Sequence, residues 1–214
     1  MTPKIMKPRT KHNKQGQGLI EAIVALGVII SGIIGMVNLS ISNQISTDEA
    51  KEQLIATNFA REGIEVIRNI RDTNWLTCEI NAGTLNCNTW NQGLSSGTDV
   101  TVSVLLNVSN NTWSLDFTAN DIDHNHARIW RRNSGTAAEI GTHFQSTDNP
   151  PDNATLSGFN RLITLDSICT DKSVQTTCSG SNPKIGIKVQ STVQWTSKGG
   201  VADLVLEERL FNWR

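Results

Sequence analysis

Glu21 is the residue of the N-terminal region whose type and position most clearly require a chemical partner. It precedes an apolar run, Ala22–Ile41, that contains no charged residue. A charged side chain at membrane depth costs about 3 kcal/mol on insertion scales, so intramembrane acids usually have a partner and a function. No basic residue lies within the following helical turns. We therefore expect the partner of Glu21 to arise from processing of the chain and from assembly with another molecule.

The apolar run is long enough to cross a membrane. Its 20 residues span about 30 Å as an α-helix, which is the hydrocarbon thickness of a bilayer. Residues 1–20 carry five basic residues and no acid, and such a flank keeps an N-terminus in the cytoplasm. We favour a retained anchor over a buried core helix. We also favour it over a cleaved signal peptide, whose apolar region is usually about 7–15 residues long.

The string GQGLIEAIVALGVI, which begins at Gly16, resembles the N-terminus of type IV prepilins and type II secretion pseudopilins. That family has a basic leader, a glycine and a mature start of the form F-T-L-I-E before a long apolar helix. The resemblance implies cleavage between Gly16 and Gln17 by a prepilin peptidase and methylation of the new amine of Gln17. Weaker matches to a minor-pilin or pseudopilin subgroup occur in residues 61–75 and 210–214.

The resemblance also implies that Glu21 pairs with the free amine of a neighbouring subunit. Cleavage creates an α-amino group with a reference pKa near 8, and opposite charges in a low-dielectric setting attract strongly. Each charge also removes the other's desolvation problem. Gln17 and Gly18 differ from the family's usual phenylalanine and threonine, and an N-terminal glutamine can cyclise and lose its positive charge.

The implied function is that of a structural subunit, a minor pilin or pseudopilin of a type IV pilus, type II secretion or competence-type filament. The implied partners are other subunits, the prepilin peptidase/methyltransferase, the inner-membrane assembly platform and the membrane. The implied location is the cytoplasmic membrane, with a single pass, the N-terminus in the cytoplasm and the head outside, and then an extracellular or periplasmic filament. The alternative is a membrane-anchored extracellular binding module, such as an adhesin or a DNA-uptake tip protein.

The charge balance disfavours a strongly basic nucleic-acid binder. The chain has 19 basic and 20 acidic residues, and loss of a leader with five basic residues leaves 14 against 20, a net charge of −6. Arg128, Arg131 and Arg132 form the one notable basic cluster. We interpret this cluster as a solvated strand edge, with contact to DNA or another anionic surface as the alternative.

Four cysteines suit an extracytoplasmic domain with disulfides. Eight residues separate Cys78 from Cys87, and eight separate Cys169 from Cys178. Four cysteines allow three pairings, which the sequence does not distinguish, and we favour the two local loops. A zinc site is disfavoured because neither pair has C-x2-C spacing, and four reduced core cysteines are the remaining alternative.

The predicted fold class is α+β, with a long N-terminal helix packed on an antiparallel sheet, as in type IV pilins. The predicted segments are a basic leader (1–16), a transmembrane assembly helix (17–42), an amphipathic helix (43–72) and a β-rich extracytoplasmic head (73–214). One apolar face of the second helix carries residues at three- and four-residue spacing: Ile55, Phe59, Gly63, Val66, Ile67 and Ile70. Thr47 is either the cap of a restarted helix or part of a continuous one.

Alternating apolar residues and turn signals predict strands in the head. These strands are expected at residues 99–108, 112–118, 159–168, 184–196 and 201–213. Adjacent hairpins indicate an antiparallel sheet. The segment 146–158 is too polar and too proline-rich for us to expect regular structure there. On the helix, the spacing predicts ion pairs Arg61–Glu65 and Arg68–Asp72.

No pattern in the sequence supports catalysis. Asp121, Asp123 and Asn125 alternate as calcium ligands do, but His126 stands where a calcium loop requires glycine and Arg132 where it requires glutamate. Two histidines in the same loop are interpreted as surface turn residues. No G-x-S-x-G, H-E-x-x-H, phosphate loop or dinucleotide fingerprint appears. We expect no enzymatic activity, no metal and no cofactor.

Overall fold

The structure is a computed structural model of the chain. It describes residues 17–76, 79–81, 84–86, 90–95, 100–107, 112–137 and 139–212. The contacts divide the chain into two units between Glu49 and Ala50. Three predicted features lie outside the described residues: the leader with Gly16, the cysteines Cys78 and Cys87, and the turn between the strands expected at residues 99–108 and 112–118.

One helix and ten strands make up the secondary structure that is described. These elements are α1 (Gln17–Leu76), β1 (Glu79–Asn81), β2 (Thr84–Asn86), β3 (Thr101–Asn107), β4 (Thr112–Asp116), β5 (Arg128–Arg132), β6 (His143–Phe144), β7 (Ala154–Cys169), β8 (Val174–Gln175), β9 (Lys184–Ser197) and β10 (Gly200–Phe211), with a 3₁₀ turn at Asn125–Ala127.

The described residues of the first unit, 17–49, are helical. Thr47 lies within α1, and its Oγ1 donates a hydrogen bond of 2.8 Å to the carbonyl of Asn43, one turn earlier. A hydroxyl bonded to the preceding turn belongs to a helix interior rather than to an N-cap. Of the two alternatives for Thr47, the structure therefore has the continuous helix.

The second unit is built on an antiparallel sheet. Its central path has the strand order β10-β9-β7-β3-β4. The long strand β7 pairs with β9 on one side, while on the other side it pairs with β5 near its start and with β3 further along. All of these pairs are antiparallel, and the strands β3–β4 and β9–β10 form the expected hairpins. The predicted α+β layout is confirmed at this level.

The helical residues from Ala50 onward pack one face on this sheet. Phe59 and Ile67 are buried, and the predicted apolar face is confirmed. Ile67 belongs to a cluster with Ile163 and Val189 of the central strands, and Phe59 belongs to a second cluster with Phe159. Burying a large apolar side chain contributes about 1.5–3 kcal/mol. Hydrophobic packing therefore holds this part of the helix against the strands.

Gly63 allows the closest approach between helix and sheet. A Cβ at this position would lie 2.9 Å from Cδ1 of Ile163 and 3.2 Å from Oγ of Ser191. Both neighbours are fully buried, so a larger side chain would have to displace packed core atoms. Glycine at this position lets the helix backbone approach the centre of strands β7 and β9.

Two local predictions are wrong. The segment 146–158 is not irregular throughout, because β7 begins at Ala154 and Thr155 pairs with Arg131 of β5. Neither predicted ion pair of the helix forms among the described residues, because the Arg68 guanidinium bonds Glu65, the predicted partner of Arg61, and Glu208 on β10 rather than Asp72. In both cases a partner distant in sequence offers a better contact than the local pattern indicates.

A disulfide closes the loop after β7. Cys169 and Cys178 are bonded, with their Cα atoms 5.7 Å apart, which confirms this member of the two favoured local pairs. Within the loop, the Asp171 carboxylate accepts hydrogen bonds from the backbone N–H and the hydroxyl of Ser173, at 2.9 and 2.6 Å. These bonds from Ser173, together with Asn182, lower the pKa of Asp171 to about 2.

We predict that Asp171→Ala makes the head less stable at neutral pH and has no such effect near pH 2. The depressed pKa means that the carboxylate stabilises the folded state above its ordinary value of 3.8. That contribution disappears as the pH falls through about 2, where the folded carboxylate becomes protonated. Thermal unfolding of variant and parent at both pH values measures the difference. Asp152→Ala, an exposed carboxylate outside this loop, is the control, and equal Asp171→Ala differences at both pH values would contradict the prediction.

Candidate assembly site

The start of α1 presents an exposed carboxylate among apolar side chains. α1 begins at Gln17, and Glu21 follows four residues later as an exposed side chain. A rise of 1.5 Å per residue places Glu21 about 6 Å along the axis from the first residue of the helix. Among the described residues, no basic side chain pairs with Glu21, which lies one turn into the helix.

The apolar side chains around Glu21 are also exposed. From Leu19 to Ile41, the large apolar residues keep between 51% and 74% of their surface accessible, the limits being Val37 and Met36. A continuous apolar surface of this size is far larger than soluble monomers normally expose. By length and composition, this helix is able to cross a membrane once.

The few polar and small residues of the run suit an apolar environment. The hydroxyl of Ser31 donates to the carbonyl of Gly27 at 2.6 Å, so this polar group is satisfied within the helix. Among the described residues, and apart from the helix's own nearby backbone, a Cβ added at Gly27, Gly32 or Gly35 would meet no atom within 4 Å. No contact in the described part of the chain requires these glycines, whereas small residues do allow close approach between membrane helices.

In the second unit, a buried arginine connects the helix to the sheet. Arg161 of β7 retains 2% of its surface. Its Nη1 donates to the carbonyl of Phe59 on the helix at 3.0 Å and lies 3.4 Å from a carboxylate oxygen of Glu62. Its Nε donates to Oε1 of Gln145 at 2.9 Å. Burial lowers the pKa of Arg161, and the Glu62 carboxylate opposes that effect.

Gln145 completes this network from the opposite side. Its amide nitrogen donates to the carbonyls of Ala127 and Arg161, at 2.9 and 2.7 Å, and its amide oxygen accepts from Arg161 and from the backbone of Val104. One buried side chain thus bonds the turn before β5 and the strands β3 and β7. A buried charge is tolerated when its hydrogen-bonding groups are satisfied in this way.

The sequence-based reasoning did not identify Arg161 and Gln145. A signal was present for Arg161, because it alternates with the apolar residues Phe159, Ile163 and Leu165. A charged residue on the buried face of a strand predicts a buried partner. Gln145 carries no comparable signal, since it precedes a polar segment.

The histidines and acids of the loop after β4 bond one another. Nδ1 of His126 lies 2.6 Å from a carboxylate oxygen of Asp116, and the backbone N–H of His126 donates to Nδ1 of His124. The carboxylate of Asp121 accepts from the backbone of Asp123 in a turn. Within the described residues, no group of three or more His, Cys, Asp or Glu side chains is placed to hold a metal.

An open hollow of about 580 Å³ lies between the helix and β4, beside Trp113. Three carboxylates line it. Each of them has an arginine as ion-pair partner: Glu62 with Arg161, Glu65 with Arg68, and Asp72 with Arg71. Because these charges are compensated, this hollow does not define a site for a charged ligand.

The basic cluster lies on β5. Arg131 is exposed, whereas Arg128 and Arg132 are half-buried, and the residues between them, Ile129 and Trp130, are buried. The strand is therefore amphipathic. Its place in the sheet explains the positions of its arginines without a nucleic-acid partner.

No protein-family model, curated protein or solved structure matches this chain.

We predict that Gln145→Leu lowers the free energy of unfolding of the head by about 3 kcal/mol. The change removes the acceptor of the buried Arg161 Nε and the donor to three carbonyls, of His126, Ala127 and Arg161, and uncompensated buried polar groups are costly. Glu62→Gln should cost less than about 1 kcal/mol, because its side chain is 36% exposed and the amide oxygen can still accept from Arg161.

Urea unfolding of the full chain in detergent measures both changes. The six tryptophans all follow residue 74, so their fluorescence reports on the second unit. A loss of less than about 1 kcal/mol for Gln145→Leu would contradict the stabilising role of its network.

Proposed function

We propose that this protein is a structural subunit of a filament of the type IV pilus or type II secretion class, a minor pilin or pseudopilin. The observation that carries the proposal is the exposed apolar surface of α1 with the single acid Glu21 one turn from its start. Support also comes from the resemblance of the string around Gly16 to the prepilin cleavage site. In the head, the helical residues from Ala50 onward pack on an antiparallel sheet. This arrangement is compatible with this class.

In the proposed pathway, the N-terminus faces the cytoplasm and α1 anchors the chain in the cytoplasmic membrane. A prepilin peptidase cleaves after Gly16, so that the mature chain begins with the first residue of α1. The new amine, methylated by the same enzyme, is positively charged at neutral pH. Cleavage thus supplies the positive charge that the exposed Glu21 lacks within the described part of its own chain.

Assembly then pairs the two charges between subunits. An axial shift of about 6 Å between neighbouring helices brings the amine of one chain level with Glu21 of the next. In the low-dielectric environment of packed apolar helices, this pairing compensates both charges. The apolar surface supplies most of the contact, and Glu21 defines the register, because any other axial shift leaves a charge unpaired.

We predict that Glu21→Gln reduces the assembled protein by at least about tenfold without affecting leader cleavage. The amide retains the size of the side chain but not its charge, so only the register-defining pair is lost, and about 1.4 kcal/mol corresponds to a tenfold change. The variant is expressed in a cell that has a complete assembly system. The measurement compares the chain in sheared filaments with the cleaved chain in membranes.

Glu49→Gln is the matched control, because Glu49 is another exposed acid of the same helix. It should leave both cleavage and assembly at parent levels. Equal assembly of parent and Glu21→Gln chains would contradict the proposed role of Glu21, and the absence of the parent chain from sheared filaments would contradict the proposed function.

A further inference from the structure

A second open hollow, of about 390 Å³, lies between the β3–β4 hairpin and the segment that follows β6. The strands β5 and β3 pair with the same edge of β7 at successive heights. Alongside β5, a bridge between Leu105 of β3 and Gln145 connects the hairpin to the segment after β6. The hollow is bounded by the hairpin on one side and by Arg132 and parts of residues 144–152 on the other.

The hollow opens on the face of the sheet away from the helix. Ser114 of β4, which lines it, follows Trp113, and Trp113 packs against the core cluster under the helix. Phe144, which also lines it, follows His143, whose ring centroid lies 5.1 Å from that of Phe59 on α1. Because successive side chains of a strand alternate between faces, Ser114 and Phe144 point to the opposite face. None of the described helical residues lines the hollow.

Arg132 lines the hollow as a half-buried cation without an acceptor of its own. Its Nε is buried and has no hydrogen-bond partner, and among the described residues its guanidinium forms no ion pair. Its Cζ lies 5.9 Å from the centroid of the Phe144 ring, within the distance of a cation–π contact. The ring therefore holds a guanidinium whose donors the chain leaves unused. A buried donor without a partner is a candidate for bonding a ligand.

Two carboxylates line the same hollow. Asp148 and Asp152 are exposed, and Pro151 between them is buried, which anchors their segment against the head. In the part of the chain that the structure describes, neither carboxylate forms an ion pair. The hydroxyl-bearing residues Ser114 and Thr147 complete a lining in which donors and acceptors converge.

This combination of groups restricts the chemistry of a ligand. An anion would meet two carboxylates, and a metal ion would meet the charge of Arg132. A purely apolar ligand would leave all of these polar groups without partners. A hydroxyl group suits both kinds of residue, because its oxygen accepts from a guanidinium while its proton goes to a carboxylate.

We propose that this hollow binds a neutral carbohydrate. Arg132 donates to hydroxyl oxygens of the sugar, Asp148 and Asp152 accept from its hydroxyl protons, and Leu105 and Phe144 supply apolar contact for its C–H groups. The volume of about 390 Å³ lies in the range of small-molecule sites and suits about one or two sugar rings. This inference goes beyond the filament function and does not depend on it, because every residue involved belongs to the head.

The test uses the full chain in a detergent without a sugar headgroup, such as lauryldimethylamine oxide. Saturation-transfer NMR measures binding of five probes: glucose, galactose, mannose, N-acetylglucosamine and lactose. We expect at least one of them to bind with a Kd below about 10 mM. Galacturonate serves as a matched anionic probe and should bind more weakly than galactose, because its carboxylate meets those of Asp148 and Asp152.

Substitutions locate the binding in the hollow. Arg132→Leu, and separately Asp148→Asn combined with Asp152→Asn, should each raise the Kd of the bound sugar at least about tenfold, because charge-assisted hydrogen bonds are lost. Arg131→Leu is the control for the arginine, since Arg131 is the exposed neighbour that lines a different hollow with His143.

Asp203→Asn is the control for the carboxylates, because Asp203 is an exposed acid on β10. Both controls should bind sugar as the parent chain does. Urea unfolding confirms that each variant is folded, and the exposed carboxylates remain a valid test if Arg132→Leu does not fold.

The opposite results overturn the proposal. Absence of binding by all five sugars at about 10 mM, or an unchanged Kd in the folded variants of the hollow, would contradict a carbohydrate site there. Tighter binding of galacturonate than of galactose would show that the hollow selects anions. Loss of sugar binding in a chelator would show recognition through a metal ion instead of through these side chains.

Discussion

The buried guanidinium of Arg161 is the constraint on which the second unit depends. An arginine with 2% of its surface accessible is stable only if its donors are satisfied, because removing a cation from water costs several kcal/mol. Its partners come from the helix, through Phe59 and Glu62, and from the segment before β7, through Gln145. The folded helix and sheet therefore share the hydrogen bonds that compensate this buried charge.

The two parts of α1 differ in where their apolar residues lie and in whether the sheet covers them. From Ala50 onward, apolar residues occupy one face, and the sheet covers them. From Leu19 to Ile41, apolar residues surround the helix, and none of the large ones is covered by the chain itself. In the proposed filament, lipid and then neighbouring subunits would cover the first part, and the amine of another subunit would pair with Glu21.

Much of this fold could be predicted because its determinants are local. The buried face of the helix follows from spacing, and the β9–β10 hairpin follows from alternation around a glycine turn. The start of β7 could not be predicted, because its polar residues become a strand only when Thr155 pairs with Arg131. The same applies to Gln145, whose partners are at least 16 residues away. Glu21 is exposed beside the apolar run, and the role that the sequence assigns to it stays a prediction.

The central claim is that proteolytic cleavage creates the charge that Glu21 requires, and the mass of the N-terminal peptide tests it most directly. The full chain is expressed with and without a prepilin peptidase, and its first peptide is sequenced by mass spectrometry. The account predicts a peptide that starts at Gln17, appears only with the peptidase and carries an uncyclised amine, either free or methylated. An uncut chain, a cut after Ile41, or a cyclised Gln17 would contradict it, because no positive amine would then be available to Glu21.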